Sequence, residues 1–561
     1  MTKYFIQGKG DQIDLNQNNF ISEGGEGKIF SKGKTVYKIY SDLNKMIPTS
    51  KIQELSVLDK DNIIRPKDII LNNDNKIAGY TMDLVEGVAL CKLFTNDFRN
   101  SNNVDPKSTL KLVENMISST VYIHERKCLI IDNNEMNYMV SKTFDVPYFI
   151  DVNSYQTPSF PATVIMPSIR DWHAKSFSTL TDWFAFAIVS CQLFVGIHPF
   201  KGKHPNFNPR QLEDRMKQNI SIFNKDVRVP TTCRDFSYIP NDLRNWYEKI
   251  FERGERTPPP KAIGLLNIVQ VKSSLITTTN NFEIQFVAEF KNEIINVKYF
   301  NSTRVITTKK EIWINKTNYK ISTDVNVVFS LIKLEPFFIK IEKGNLKLLN
   351  LKTNNPVESD IKCSNKMVIG NTIYARFEGK LLELSLIGFT NNVAIKHAWN
   401  IMPMSSQFLD GVIYQNVLGK PYLVIPKPEP IKNSSCLVIP IPELEGYRIL
   451  NGKYENDVCM IIATKGNGYD KIILRFNDDQ YDCRILSDVN IDSINFTVLD
   501  NGICVSINED EEIEIFSNNL KSSKVNVIRD PDINSSMTLC KDGVKVMFFK
   551  GNQLYSMTMR K

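Results

Sequence analysis

Seven hairpin signals recur through the second half of this 561-residue chain, and a turn repeated at near-even spacing leaves few folds open. The turns centre near Lys310, Gly344, Gly379, Gly419, Gly466, Asp510 and Gly551, at spacings of 34, 35, 40, 47, 44 and 41 residues. Short alternating strands flank them, as in 338–348 and 548–555. Repeats of roughly 40 residues with about four strands each are the pattern of propeller blades. The reading is an all-β propeller of about seven blades over 278–561. Seven hairpins argue for seven blades, with six or eight left open, and a pair of β-sandwiches is the competing arrangement. Closure would use a strand from before residue 290.

The chain is too long for one compact core. Thr257-Pro258-Pro259-Pro260-Lys261 is a stiff break. It divides the chain into 1–262, a linker with a short helical pattern over 263–277 (running from Ala262 to Val271), and 278–561. With 42% hydrophobic and 23% charged residues the composition is that of ordinary globular protein. The longest apolar run, Phe184 to Val195, is shorter than the ~18 residues that span a membrane. The opening Met1-Thr2-Lys3-Tyr4 lacks the layout of a signal peptide. A cytoplasmic protein without a membrane segment is expected. Ten cysteines form no CxxC pair, and five histidines show no metal-ligand spacing, so reduced buried thiols are expected and not a zinc site. The net charge of +7 is spread along the chain with no basic stripe interleaved with aromatics, which argues against a nucleic-acid site. Frequent Asn, Lys and Ile fit an AT-rich genome, such as that of a phage or a low-GC bacterium; a phage-encoded chain would work in the host cytoplasm.

The first half carries polar residues in an order that suits phosphoryl transfer. Ile130-Ile131-Asp132-Asn133-Asn134-Glu135-Met136-Asn137 places an Asp and, five positions on, an Asn; Tyr148-Phe149-Ile150-Asp151 adds a second Asp after an apolar strand. One carboxylate facing an acceptor hydroxyl, with an amide and a carboxylate holding Mg2+, is the set such a site needs. Upstream, Ser22-Glu23-Gly24-Gly25-Glu26-Gly27 is a glycine-rich turn between strand fragments, and glycines let backbone amides approach phosphate oxygens. Thr35–Tyr40 alternates as a strand, which puts Lys38 on an inner face, where a lysine needs a partner. A helix opening after Pro48 carries Ile52, Leu55 and Leu58, and Glu54 on it is the candidate partner of Lys38. A hairpin over 63–84 leads to a hinge at Met82–Gly87, then to a long amphipathic helix that ends near His124, read as a packing residue. Asp182 opens a helix too apolar for a surface, and His198 is read as a structural turn residue.

Taken together, residues from about 15 to 260 resemble the protein kinase superfamily. The likeness is to bacterial and phage kinase-like proteins whose catalytic loop reads GD-x-N-E-x-N, which Asp132–Asn137 matches, along with Ile150–Gln156 and His198-Pro199-Phe200. The resemblance implies an α+β bilobal domain with a small lobe over about 15–84 and a large lobe over about 88–262. It implies ATP and Mg2+ as cofactors. Lys38 would bind the α/β-phosphates, with Glu54 orienting it. Gly24, Gly25 and Gly27 would cover the phosphates, and Ile29, Met82 and Leu84 would complete the nucleotide pocket. Asp132 would align or deprotonate the acceptor hydroxyl, Asn137 and Asp151 would hold Mg2+, and Asp182 would brace the catalytic loop. Several positions depart from the pattern. Ser22 replaces the first glycine, Ile131 an arginine and Asn134 the lysine that contacts the γ-phosphate; Ser168 replaces a glutamate, which would cost Arg256 its salt bridge. Loss of the arginine argues against loop phosphorylation as the main switch, although Thr157, Ser159 and Thr163 offer hydroxyls there.

The second half is similar to a divergent WD40-like propeller lacking Trp-Asp and Gly-His signatures, and implies a protein-binding disc. The expected function is a Ser/Thr protein kinase whose propeller recruits its target. The competing expectation is a pseudokinase scaffold whose propeller mediates assembly, including in a phage or host-takeover complex. A small-molecule kinase is a third.

Overall fold

The computed structural model describes residues 3–560 apart from 10–11, 25, 163–164, 209–210, 262, 264–275, 277, 301–302, 322–324, 332–333, 358, 388–391, 430–433 and 467. The protein is multidomain, with a mixed α/β first part and an all-β second part. The helical pattern read over 262–271 falls almost wholly outside the described residues.

The chain opens with β1 (Lys3–Ile6), β2 (Gln12–Asp14), β3 (Phe20–Glu23), β4 (Gly27–Lys32), β5 (Thr35–Tyr40), β6 (Ile69–Leu71) and β7 (Ile77–Asp83), which form one antiparallel sheet in the order β2-β1-β6-β7-β5-β4-β3. Helix α1 (Thr49–Leu55) crosses between β5 and β6 and buries Lys51, Ile52 and Leu55. Ile52 packs on Tyr40 and Tyr80. At Gly79 in β7 a Cβ would lie 1.9 Å from the Lys38 carbonyl, so only glycine lets β7 close on β5.

Beyond Gly87 lie α2 (Asn96–Ser101), the 20-residue α3 (Pro106–Glu125), α4 (Thr179–Val195), α5 (Leu212–Lys217) and α6 (Asn241–Phe251), with a small sheet of β8 (Val88–Ala89), β9 (Tyr138–Val140) and β10 (Pro147–Phe149). Pro106 at the first turn and the Asp105 carboxylate, which accepts from Ser108 N–H, start α3 where the sequence signals a helix. Helix α4 is apolar on every side and is buried from Thr181 to Val195, as its composition requires. His198 is buried and neutral, its pKa pulled down to about 3 by burial. Its Nδ1 accepts from Phe200 N–H, so Nε2 carries the proton and donates to the Ser168 carbonyl.

The second part consists of seven four-stranded antiparallel sheets. Six are continuous in sequence, over 294–320, 326–357, 365–400, 406–440, 448–486 and 496–528. The seventh joins Phe282–Glu289 to Thr538–Asp542, Lys545–Lys550 and Gln553–Met559, which pairs the start of this part with its end. Each of the seven turns read from the sequence links the second and third consecutive strands of one sheet. Apolar side chains bridge every sheet to the next. Phe329 packs on Ile312, Leu348 on the 365–400 sheet, Leu381 on Val424, Ile425 on Ile461, Phe496 on Met460, Ile513 on Phe548, and Met547 on Ile306, which returns to the first.

The core of the first part does not stop at its own boundary. Leu450, Ile462, Tyr469, Val489 and Ile491 of the second part belong to the same buried cluster as Phe94, Met136 and Phe184. Among the described residues, no helix is long and apolar enough to cross a membrane.

Candidate active site

The loop 130–137 is built around one buried carboxylate. Asp182, at the first turn of α4, accepts from Ile130 N–H and Ile131 N–H at 2.8 Å each and contacts His124 Nε2 at 2.9 Å. His124 stands edge-on to Trp183, a packing position at the end of α3. Held in this way, Ile131 takes φ +62, a rare conformation for a β-branched residue, and Asp132 N–H bonds back to the Ile130 carbonyl at 2.8 Å. The turn aims Asp132 away from the core.

Asp132 is fixed from several sides. Its Oδ1 accepts from Met166 N–H at 2.9 Å and its Oδ2 from Asn134 Nδ2 at 2.9 Å. Asn137 Nδ2 donates to the Asp132 carbonyl at 2.9 Å, and the Asn137 carbonyl accepts from Ile150 N–H at 3.0 Å. Asn137 therefore ties Asp132 to the residue preceding Asp151. The Asn134 oxygen accepts from Met136 N–H at 2.8 Å and caps the 3₁₀ turn Glu135–Asn137. With both ends of its amide engaged locally, Asn134 shapes the loop.

Asp151 has φ +61, which Asp tolerates better than most residues. Burial pushes its carboxyl up to about 6, and Glu26 and Asp132 push the same way against Lys38. A nearly buried carboxylate with two acidic neighbours is short of positive charge, and a divalent cation would supply it. Asn137, tied by its carbonyl to Ile150 N–H, would be the neutral oxygen donor beside Asp151. Two protein oxygens, with waters and phosphates for the rest, suit Mg2+ better than an all-protein cage would.

Lys38 lies in β5 opposite Ile29 of β4 and Tyr80 of β7, and is buried. Its ammonium pairs with Glu26 at 2.5 Å and sits 5.0 Å from the Tyr40 ring centre. Burial works to lower its pKa, but Tyr40, Glu26 and Asp151 outweigh it and the net shift is upward. Glu54 is not the partner of Lys38. It is on the outward side of α1 and accepts from Ser159 N–H at 3.2 Å, because the buried face of this two-turn helix is 51, 52 and 55. The turn between β3 and β4 supplies Glu26 instead.

In that turn Gly27 is sterically required, since a Cβ would lie 2.2 Å from the Ile39 carbonyl, whereas Gly24 has open space around it. Gly25 lies outside the described residues. Met82 pairs with Val36 across β7 and β5, and Leu84 N–H bonds to the Lys34 carbonyl at 2.8 Å. At Gly87 a Cβ would lie 2.3 Å from the Val140 carbonyl, which fixes the connection to the helical lobe. Ser168 offers Arg256 no carboxylate, as expected, but a different residue does. The Arg256 guanidinium makes a two-pronged contact with Asp171, at 2.6 and 2.8 Å, three residues beyond Ser168.

The second part's reach into this site has no signature in the residue pattern. Tyr469 OH donates to Glu135 Oε1, and Arg448 donates to the Met136 carbonyl at 2.9 Å. On the sheet lobe, Glu23 of β3 lies against Gly419, where a Cβ would be 2.5 Å from its Oε2. Further ties join Asn96 N–H to Asp492, Lys201 to Asp488 and Thr231 to Glu511.

No family model matches the chain, and no curated protein matches it. Similar solved structures include a Caenorhabditis elegans twitchin kinase fragment described as an autoregulated protein kinase with immunoglobulin domains, at 14% identity and TM-score 0.34, covering 46% of this chain. The chain spans 55% of that fragment's length. The PK-1 kinase of Cydia pomonella granulovirus is similar at 12% identity and TM-score 0.32, over 42% of this chain and 88% of that one. Kluyveromyces lactis Hsv2 is similar at 9% identity and TM-score 0.32, over 48% and 98%. The first part is two-lobed, a seven-stranded sheet joined at Gly87 to a mainly helical lobe.

Proposed function

We propose that the first part is an ATP- and Mg2+-dependent protein kinase acting on Ser or Thr, and that the seven sheets form a WD40-like propeller that engages a protein target. The observation that carries this reading is the proximity of Lys38, Asp132, Asn137 and Asp151, in which the Asp151 carboxyl feels both Lys38 and Asp132 and Asn137 is hydrogen-bonded to Asp132. The bridging of each sheet to its neighbours, back to the first, supports the propeller, and its usual work supports a macromolecular substrate.

Asp132, oriented by Met166 N–H and Asn134, would accept the proton of the attacking hydroxyl. Lys38, released from Glu26, would hold phosphate oxygens. Asn137 and Asp151 would hold Mg2+, which neutralises charge on the transferring phosphoryl group. The test is transfer of labelled γ-phosphate from Mg·ATP by the full chain, with Asp151→Asn beside it, alone and with cell lysate. Asn also tolerates a positive φ, so that variant should fold. Transfer by the wild type alone is expected; equal transfer by the variant would refute the assignment.

One observation favours the second reading, a pseudokinase scaffold. Glu26 places a carboxylate within the phosphate-covering turn and occupies Lys38. A melting temperature unmoved by Mg·ATP would select that reading, because a ligand that binds only the folded state must stabilise it.

A further inference from the structure

Helix α1 presents a cation to the cleft where the kinase resemblance leads one to look for a carboxylate. Lys51 is 6% exposed. Among the described residues no carboxylate lies within ion-pairing distance of its ammonium, and its charged neighbours further off are Asp151 and Glu54. The helix packs against the 3₁₀ turn Val152–Ser154 that follows Asp151. Ile52, the next residue of α1, packs against Tyr40 and Tyr80, whose phenols interact with each other, Tyr40 also with Lys38. Both rings also face the Lys38 ammonium, at 5.0 and 5.9 Å.

A buried ammonium without a hydrogen-bonded counter-ion is costly, and folds do not usually retain one without use. Burial lowers the Lys51 pKa, as expected of a cation awaiting an anion. Lys38 already has Glu26, so Lys51 is not needed to complete an internal pair. We infer that Lys51 is a second phosphate-binding cation of the cleft, holding the polyphosphate of the nucleotide together with Lys38. The assignment rests on the nucleotide reading of this site. It also explains the outward turn of Glu54: a glutamate on the inner face of α1 would pair with Lys51 and cancel it.

The test measures binding of ATP, inorganic tripolyphosphate and adenosine to the full chain by calorimetry, for wild type, Lys51→Met and Lys51→Arg, with unliganded melting temperatures alongside. Lys51→Met should weaken ATP and tripolyphosphate by roughly tenfold to a hundredfold, the usual worth of one hydrogen bond to a charged group. Adenosine should bind unchanged, and Lys51→Arg should recover most of the loss. The unliganded Lys51→Met protein should melt no lower than wild type, because a methionine is at ease where a lone ammonium is not. If Lys51 serves only to offset Asp151 within the protein, Lys51→Met will melt lower and bind tripolyphosphate as wild type does; that result would overturn the inference while leaving the nucleotide reading intact. Wild type that binds neither ATP nor tripolyphosphate would overturn both.

Discussion

Asp151 is held where burial and charge pull in opposite directions, and its behaviour with pH follows. The folded carboxyl titrates near 6, above the ordinary value of about 4. The folded protein therefore keeps a proton that the unfolded chain has already released. This residue's contribution to stability is greatest below about pH 4, declines as pH rises towards 6, and is level above that. A cation bound at Asp151 must displace the same proton. Mg2+ affinity, read from the shift it causes in melting temperature, should be flat above about pH 6 and fall by up to about tenfold per pH unit below it. Asp151→Asn should lose that slope, and a slope unchanged in the variant would place the titrating group elsewhere. At this scale the nearness of three of the polar residues was legible. Asp132, Asn137 and Asp151 follow in order in the sequence and meet in space, because a short loop and a hairpin leave them little freedom. The partner of Lys38 was not legible. Glu26 and Glu54 are similarly close in sequence, and only the register of the β4–β5 pairing and the short inner face of α1 separate them.

Between elements, Ser168 cannot supply the carboxylate that the resemblance led one to look for beside Arg256, and Asp171, three residues later, supplies one. Asp171 is nearly buried and meets Arg256 through both carboxylate oxygens. Arg256 also stacks over Phe184 of α4, at 4.5 Å from its ring centre. Asp171→Ala would leave a largely buried guanidinium without its counter-ion and should cost about 3 kcal/mol, measurable by denaturant unfolding. A change below about 0.5 kcal/mol would class the contact with ordinary surface pairs. The seven turns were legible because hairpin chemistry is local: Gly344, Gly419, Gly466 and Gly551 all take the positive φ that a tight turn demands. The compensation at Asp171 was hidden because a salt bridge depends on where a loop runs, and 85 residues separate its partners.

For the whole molecule, the shared core matters more than the division into two parts. Tyr469 reaches Glu135 across 334 positions of sequence, and Leu450, Ile462, Val489 and Ile491 complete an apolar cluster begun by the first part. Calorimetry of the full chain should show one unfolding transition, and Leu450→Asp should split it in two by driving a charge into the joint. Two separate transitions in the wild type would mean that the parts are only loosely joined. No pattern in the sequence could have announced this contact, since hydrophobic periodicity shows which face is buried and not what buries it. The seventh sheet gives this dependence a direction in time. Its outer strand, Phe282–Glu289, is made early and must wait for Gln553–Met559 before it can pair. On a ribosome, the loop that bears Asp132 emerges hundreds of residues before the sheets that steady it can be closed. A nascent or prematurely terminated chain would carry the whole loop and lack the Arg448 and Tyr469 contacts that steady it, so the loop would reach its final setting only after the second part is made, and translation itself would act as the safety catch.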